Sequence, residues 1–301
     1  MKKSRRVLCK GKHVKYAFIK QHHKVFNVTL MCSLLEVSRS AYYDWLTRPE
    51  SNHSKEDRRL GARVKALHKK SRETYGAIRI RKDLLDEGEV ISINRVGRLM
   101  KEQSLKSKSH KKFKATTNSN HNYPVAPNFL DREFQVNQPN TVYTGDITYI
   151  HTDEGWLYLA VWIDLYSRAI VGWSMSNRMT ATLVNDALIM AMWKRRPLKG
   201  LMLHSDRGSQ YASGLYQQTI KENGFICSMS RKGNCWDNAP SESFFHTIKT
   251  ELVHHRRYQT REEAKQDIFE YIEVFYNQQR RHSTIDYKAP LQFEAERSNV
   301  A

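Results

Sequence analysis

The apolar pattern between positions 142 and 176 constrains the fold of this 301-residue chain more than any other feature. Residues 142–151 alternate between apolar and polar, residues 156–164 (WLYLAVWID) are almost continuously apolar, and residues 168–176 (RAIVGWSMS) follow after a short break. Turn residues at 153–155 and 165–167 separate the three runs. Because strands joined by short turns pair with their sequence neighbours, this segment is predicted to form an antiparallel meander.

Helices and strands alternate after the meander. The periodicity and the turn residues predict helices over 180–195, 210–222, 241–254 and 260–279, and strands over 201–205 and 225–229. A meander followed by this alternation is typical of a mixed sheet covered by helices. We therefore predict an α/β domain that, with its C-terminal helices, occupies residues 129–301.

The amino-terminal part is predicted to be all-α. Residues 28–47 read as two short helices, with Ser38 as the N-cap of the second and one apolar stripe formed by Leu30, Leu34 and Leu35. Three further helices are predicted over 56–71, 76–86 and 93–103, with Gly88 ending the second and Asn94 near the start of the third.

We predict helix-turn-helix-like DNA-binding regions over 1–55 and 56–105, followed by a basic linker over 106–128 that is rich in Lys, Ser and Asn and poor in aliphatic residues. The alternative for the second region is a small helical bundle that makes only protein contacts.

The positive charge of the chain lies in its first part. Residues 1–120 contain 30 Lys and Arg residues against 11 Asp and Glu, whereas residues 121–301 contain 20 of each, so the first part carries the whole net charge of +19. This asymmetry indicates a polyanion-binding segment beside a neutral domain. The predicted DNA contacts in it are Arg63, Arg79, Arg81, Lys82, Lys111 and Lys112.

The four cysteines, Cys9, Cys32, Cys227 and Cys235, contain no C-x-x-C pair, which argues against a disulfide framework and a zinc finger. The basic start of the chain is not followed by the apolar stretch of a signal peptide, and no run approaches the roughly 18 apolar residues of a membrane span. These features predict a cytoplasmic protein with inert Cys227 and Cys235.

Three acidic residues lie on separate predicted elements. Asp146 lies within the first strand, Asp206 ends the short strand LMLHS, and Glu242 lies in the first turn of a helix that begins near Pro240. Three carboxylates suit hard cations such as Mg²⁺ or Mn²⁺, and two such ions about 4 Å apart activate the attacking and leaving oxygens of a phosphodiester. Lys249 follows Glu242 by two helical turns, away from the apolar stripe of that helix, and is predicted to face DNA. The alternative is an ordinary solvated lysine.

The sequence motifs around these acids resemble those of a known family, and the resemblance spans nearly the whole chain. They are GDITYI at 145–150, HSDRGSQY at 204–211, SRKGNCWDNAPSESFFHTIKTEL at 230–252 and YNQQRRHSTIDYKAPLQFE at 276–294, with VSRSAYYDWLTRP at 37–49 and YGAIRIRKDLLDEG at 75–88. Together they resemble the bacterial insertion-sequence transposases of the integrase-like DDE class, specifically the second-reading-frame product of elements with two overlapping frames.

This resemblance implies a ribonuclease-H-like core and a Mg²⁺-dependent enzyme that cuts element ends and transfers their 3′-hydroxyls into target DNA. It places the catalytic triad on Asp146, Asp206 and Glu242, with the family's 35-residue spacing between the last two, and its basic residue on Lys249. It also implies a nucleoid-associated homo-oligomer bound to terminal inverted repeats and an upstream-frame protein as partner or fusion. The terminal repeats, the target preference and the oligomeric state do not follow from the sequence.

Several residues keep more than one interpretation. Asp164 is a rival metal ligand or a turn residue, and His204 orients a ligand or packs inside the sheet. Trp236 stacks on a flipped base or anchors a loop, and Asp237 and Asn238 are local turn or cap residues. Arg280, Arg281 and His282 contact phosphate or pair within the domain. Two rival functions are a structure-selective nuclease of the same fold and a DNA-binding regulator with an inactive core.

Overall fold

The computed structural model describes residues 11–108, 125–231 and 235–298. The chain divides into two compact units, Met1–Ala62 and Arg63–Ala301, and the division falls within the helix Asn52–Lys70. Lys111 and Lys112, with most of the predicted linker, lie outside the described residues.

The first unit contains helices α1 (Lys12–His22), α2 (Val28–Leu34) and α3 (Arg39–Thr47), and the division lies in α4 (Asn52–Lys70). The two short helices and the cap at Ser38 were predicted correctly, because the Ser38 hydroxyl accepts a hydrogen bond from the Ala41 amide. The apolar stripe was wrong at Leu30 and Leu34, which are 57% and 65% exposed. The core instead takes Leu35 with a different face of α2, formed by Met31 and Cys32 and packed with Tyr16, Ile19 and Tyr42.

The second unit begins with the end of α4, followed by α5 (Ala77–Asp86) and α6 (Ile93–Glu102). These bounds lie close to the predicted ones. Gly88 follows α5 with a φ of +84°, a backbone conformation that costs glycine little. Asn94 lies in the first turn of α6, as predicted, and Ser92 caps the helix, since its hydroxyl accepts a hydrogen bond from the Arg95 amide at 3.2 Å.

A five-stranded sheet forms the centre of the second unit, in the order β3-β2-β1-β4-β5. Its strands are β1 (Val142–Thr152), β2 (Gly155–Asp164), β3 (Ile170–Ser176), β4 (Met202–Ser205) and β5 (Ile226–Met229). The first three form the predicted antiparallel meander, and β4 and β5 continue the sheet in parallel beyond β1. The mixed sheet is therefore confirmed.

Helices cover both faces of this sheet. They are α7 (Ala181–Arg195), α8 (Gly214–Glu222), α9 (Ala239–Glu251) and α10 (Arg261–Glu270), which continues as a π-helix over Tyr271–Tyr276. A last helix, α11 (Pro290–Ser298), follows. Along β2, Trp162 packs toward α7 and α8, whereas Val161 and Ile163 pack toward α9 and α10. Alternate residues of one strand thus belong to two separate cores, which explains why 156–164 is apolar almost throughout.

Within the second unit, α5 and the segment before it are joined to the chain near its C-terminus by polar contacts. Arg281 forms an ion pair with Asp83 at 2.6 Å and a second one with Asp86, and the Tyr75 hydroxyl donates to the carbonyl of Gln279 at 3.1 Å. Arg280 pairs with Glu251 at 2.7 Å, and both side chains are buried. Both arginines therefore make ion pairs within the unit. None of the helices in the described ranges is long and apolar enough to cross a membrane.

Gly172 provides a test of the packing between β3 and α7. A Cβ at this position would lie 2.2 Å from the carbonyl oxygen of Ala187, so Gly172→Ala is expected to lower the free energy of unfolding by at least about 1–3 kcal/mol. The matched control is Gly97→Ala in α6, where no heavy atom lies within 4 Å of the added Cβ. It should raise stability by about 0.5–1 kcal/mol, since alanine is the better helix former. Equal effects in urea unfolding would contradict the packing described here.

Candidate active site

The register between β1 and β4 brings two aspartates together. Gly145 lies opposite Ser205 in the parallel pairing, and the next residue on each chain is Asp146 and Asp206. The carboxylate of Asp206 accepts a hydrogen bond from the Gly208 amide at 2.9 Å, which orients it at the strand end. Two carboxylates from two strands therefore lie side by side at one edge of the sheet.

The electrostatics of this pair are unfavourable for the charged form. Burial, together with the negative charge of Asp206, raises the pKa of Asp146 well above its ordinary value. A hydrogen bond from the Ile147 amide lowers the pKa of Asp146, Glu242 raises it, and Lys249 lowers it. These groups therefore share one electrostatic environment.

Glu242 lies in the first turn of α9 and is exposed to solvent. Partial burial of its carboxyl group raises its pKa. Among the described residues, no group of three or more His, Cys, Asp or Glu side chains is already arranged around a common metal position. The structure thus brings Asp146 and Asp206 together, with Glu242 near enough to affect the pKa of Asp146. The donors are all carboxylate oxygens, a set that fits a hard divalent cation.

The start of α9 is bound to β1 beside Asp146. The Thr144 hydroxyl donates to Oδ1 of Asn238 at 2.6 Å, and Nδ2 of Asn238 donates to the carbonyl of Gly145 at 3.3 Å. Ser241 lies 3.0 Å from the Thr144 hydroxyl. These buried contacts set the position of the turn that carries Glu242 relative to the strand that carries Asp146.

Asp237 anchors the segment before α9. Its buried carboxylate pairs with Arg132 at 2.8 Å and Arg231 at 2.9 Å, and it accepts the Arg231 amide at 2.9 Å. The two guanidinium groups hold the pKa of Asp237 far below its usual range, with the hydrogen bonds from Arg231 as the largest cause. The interpretation of Asp237 and Asn238 as residues that position Glu242 agrees with these contacts.

Lys249 is buried, with 8% of its surface exposed, and its ammonium lies 4.9 Å from the ring centroid of Tyr149. Burial lowers its pKa, and the nearby Asp146 raises it. An ordinary solvated lysine is therefore not what the structure shows. Its charge belongs to the electrostatic environment of the carboxylates.

The other predicted DNA contacts in the described residues lie in the helices α4 and α5. Arg63 forms ion pairs with Glu87 and Glu89, both at 2.6 Å, and Nε of Arg81 donates to the carbonyl of Ile91 at 2.8 Å. Arg79 lies over the Tyr75 ring and Lys82 over the Tyr287 ring. The structure thus gives Arg63 and Arg81 partners inside the protein, and places Arg79 and Lys82 on aromatic rings.

The alternatives at Asp164 and His204 have structural answers. Asp164 is buried and accepts the amides of Asn140 and Tyr166, so it caps a turn, and burial raises its pKa to about 6. His204 is packed inside the sheet with Nδ1 2.9 Å from the Ser228 hydroxyl, and burial lowers its pKa to about 4. Trp236 is 69% exposed, which leaves both of its interpretations open.

Tyr211 belongs to the site although it was not singled out in the sequence. It is 1% exposed, and its pKa is raised well above the ordinary value by burial and by the charges of Asp146 and Asp206. Its hydroxyl has no hydrogen-bond partner among the described residues. Its position at the end of the HSDRGSQY motif could have identified it from the sequence.

Comparisons with known proteins identify the family of the chain. A family model described as "Integrase core domain" matches residues 136–235, a second of the same description matches 242–297, and an "HTH-like domain" matches 55–113. The chain is 47% identical to the "Insertion element IS600 uncharacterized 31 kDa protein" of Shigella sonnei, over 90% of this chain and all of the relative. It is 42% identical to "Transposase InsF for insertion sequence IS3A" of Escherichia coli K12, over 93% of this chain and 98% of the relative.

The chain belongs to the family of the InsF transposases of insertion sequence IS3. Two solved structures match parts of the chain. One is the simian T-cell lymphotropic virus intasome in complex with PP2A regulatory subunit B56 gamma, with a TM-score of 0.44 and 15% identity over 76% of this chain and 73% of that one. The other is the HTLV-2 integrase catalytic core domain in complex with magnesium, with a TM-score of 0.40 and 18% identity over 52% of this chain and 96% of that one.

The predicted family, fold and function are thereby confirmed. As an InsF-type transposase with an integrase core, the chain is a DDE-type polynucleotidyl transferase, and metal-dependent DNA cleavage and strand transfer is the general mechanism of that family. Its integrase core indicates use of a divalent metal, and its HTH-like domain indicates DNA binding.

Asp237→Asn tests the anchoring of α9. The substitution removes the charge that neutralises Arg132 and Arg231, and it is expected to lower the free energy of unfolding by about 1–3 kcal/mol. The matched control is Asp131→Asn, since Asp131 also pairs with Arg231, at 3.2 Å, but its side chain is 72% exposed. It should change stability by less than about 1 kcal/mol. Comparable losses for the two variants in thermal unfolding would exclude the proposed anchor.

Proposed function

We propose that Asp146, Asp206 and Glu242 are the catalytic carboxylates of this transposase and that they hold two Mg²⁺ ions, for which Mn²⁺ substitutes. The observation that carries this proposal is the pairing of β1 with β4, which sets Asp146 beside Asp206, with Glu242 near enough to raise the pKa of Asp146 further. A fold that holds acids in such mutual repulsion gains when a cation binds between them. When bound, the divalent ions supply Lewis-acid stabilisation of the charge that develops on the phosphodiester oxygens.

The protein's own residues supply position and electrostatics. The pairing of β1 with β4 presents Asp146 and Asp206, and the contacts of Asn238 with Thr144 and Gly145 set the position of Glu242. Lys249 brings a positive charge close to Asp146, where it also attracts a DNA phosphate. Pre-organised donors and charges of this kind suit an in-line phosphoryl transfer.

The reaction consists of two transfers at phosphorus without a covalent protein–DNA intermediate. Water first displaces the 3′-oxygen of the element end from its phosphodiester, which leaves a 3′-hydroxyl. This hydroxyl then attacks a phosphodiester of the target, forms the new bond and releases the target's own 3′-oxygen. Strand transfer distinguishes this enzyme from a simple nuclease of the same fold, and metal-dependent nicking distinguishes it from a regulator with an inactive core.

The proposed DNA partners are the terminal inverted repeats of the element and a target duplex. We further propose that the chain acts as a homo-oligomer on DNA at the nucleoid, with the upstream-frame protein as a partner or fusion. The HTH-like match over 55–113 supports a contact of this region with DNA.

Asp146→Asn, Asp206→Asn and Glu242→Gln are each expected to abolish cleavage and joining while duplex binding survives, because each removes a metal ligand and no cation. A gel assay with labelled element ends measures both steps. The control is Asp153→Asn, which neutralises an aspartate that pairs with Arg257 at the β1–β2 turn and should retain activity. Near-normal cleavage by one of the three variants would remove that residue from the triad.

Lys249→Met preserves most of the aliphatic packing on Tyr149 but removes the charge. It is expected to weaken binding of element-end DNA and to slow cleavage, whereas Lys249→Arg should retain more of both. Lys265→Met, at an exposed lysine of α10 that pairs with Glu262, is the control. If Lys249→Met and Lys265→Met bind element ends equally well in fluorescence anisotropy, the proposed role of Lys249 is wrong.

A further inference from the structure

A basic cavity of about 320 Å³ lies beside the start of α9, and Glu242 is not among the residues that line it. Residues from separate parts of the second unit line it, with Arg79 from α5, Arg168 from the turn between β2 and β3, and Arg280 and His282 from the segment after the π-helix. Ser243 and Thr284 add hydroxyl groups. The lining residues include no Asp or Glu among those that the structure describes.

The charge of this cavity is only partly balanced. Glu251 neutralises Arg280, because its carboxylate accepts two buried hydrogen bonds from Nε and one from Nη2. Arg79 lies 5.5 Å from the ring centroid of Tyr75, and Arg168 donates to the carbonyl of Phe134 at 3.2 Å. Within the described ranges, Arg79 and Arg168 form no ion pair with a carboxylate. Among the described residues, two positive charges therefore line the cavity without a carboxylate paired directly to them.

Burial lowers the pKa values of three basic groups around the cavity, Arg79, Arg168 and His282. Burial and the nearby charge of Arg280 lower the pKa of Arg79, and burial lowers that of Arg168. Burial and the three arginines hold the pKa of His282 well below its ordinary value. An anion in the cavity would relieve this repulsion and would accept hydrogen bonds from guanidinium and hydroxyl donors together.

We propose that this cavity binds a backbone phosphate of DNA. Its place on α9 favours DNA as the source, since Pro240 and Ser243 line the cavity in the same helical turn that carries Glu242. A duplex that presents a phosphodiester to the carboxylates carries further phosphates along the same strand, about 3.4 Å apart along the helix axis. The cavity is thus a second, non-catalytic contact that sets the register of the strand. This inference rests on the proposed active site in one respect, namely that the DNA strand runs from the carboxylates to the cavity.

The decisive experiment measures duplex binding by the full chain in EDTA, without cleavage, so that failure of the carboxylate assignment does not affect it. Arg168→Gln and Arg79→Gln are each expected to weaken binding about tenfold, and each should reduce the slope of log affinity against log salt by about one. Because both arginines bind one phosphate, the double variant should lose no further unit of slope. Arg257→Gln removes an exposed arginine that pairs with Asp153 and is the control.

Folded variants, verified by circular dichroism, that bind DNA with the parent's affinity and salt slope would overturn the proposal. The proposal would also be overturned if the double variant lost two units of the slope of log affinity against log salt, because that loss indicates two independent contacts. Inorganic phosphate gives the other source of the same chemistry. In one outcome, about 10 mM phosphate raises the melting temperature of the parent protein but not that of Arg168→Gln, while Arg168→Gln leaves the affinity for DNA unchanged. The cavity is then a site for a small anion rather than for DNA.

A second measurement applies where the arginine variants fail to fold. Thr284→Cys places a thiol at the exposed mouth of the cavity, and a duplex with a disulfide tether on one backbone phosphate should capture it above the background of the chain's four cysteines. Gln218→Cys on the exposed face of α8 is the matched control. Equal capture at the two positions would contradict the proposal.

Discussion

The parallel pairing of β1 with β4 is the constraint on which the candidate site depends. It sets Gly145 opposite Ser205 and so brings the next residues, Asp146 and Asp206, together at one edge of the sheet. Side chains alternate along a strand, so a slip of one residue would turn Asp146 to the opposite face. The antiparallel pairing of β1 with β2 over ten residue pairs fixes the register against such a slip. Backbone hydrogen bonds and two apolar cores therefore hold the two acids together against their mutual repulsion, in addition to any neutralising side chains.

Glu242 is connected to this strand pair by a different device. Asn238 and Asp237 are buried polar residues directly before α9, and both have their hydrogen-bonding groups satisfied by distant partners, Thr144 and Gly145 for the first and Arg132 and Arg231 for the second. Such networks are costly when incomplete, so they hold one geometry when complete. The exposed carboxylate at the start of α9 is thereby placed by residues that are themselves buried. This separates the position of Glu242, which is set by the fold, from its access to solvent and DNA.

Local patterns in the sequence predicted what local physics controls. The meander followed from three apolar runs and their turns, and the proposed triad was selected from the motifs around each acid. The errors concern choices made by tertiary packing. Leu30 and Leu34 are as apolar as the buried Met31, and only the position of α1 decides which face of α2 is covered. The burial of Lys249 against Tyr149 likewise depends on how α9 crosses β1, which no periodicity in either segment specifies.

Charge counts along the sequence also differ from charge that is available to a ligand. The segment with the whole net charge includes Arg63, which the structure pairs with Glu87 and Glu89. Conversely, Arg168 belongs to the neutral segment and faces a cavity without a counterion among the described residues. The ion pair between Arg281 and Asp83 spans nearly 200 positions, so helices counted as a separate DNA-binding region share their surface with the catalytic core. The proposed phosphate contact is therefore a property of the second unit as a whole, since α5 and the core contribute arginines to one cavity.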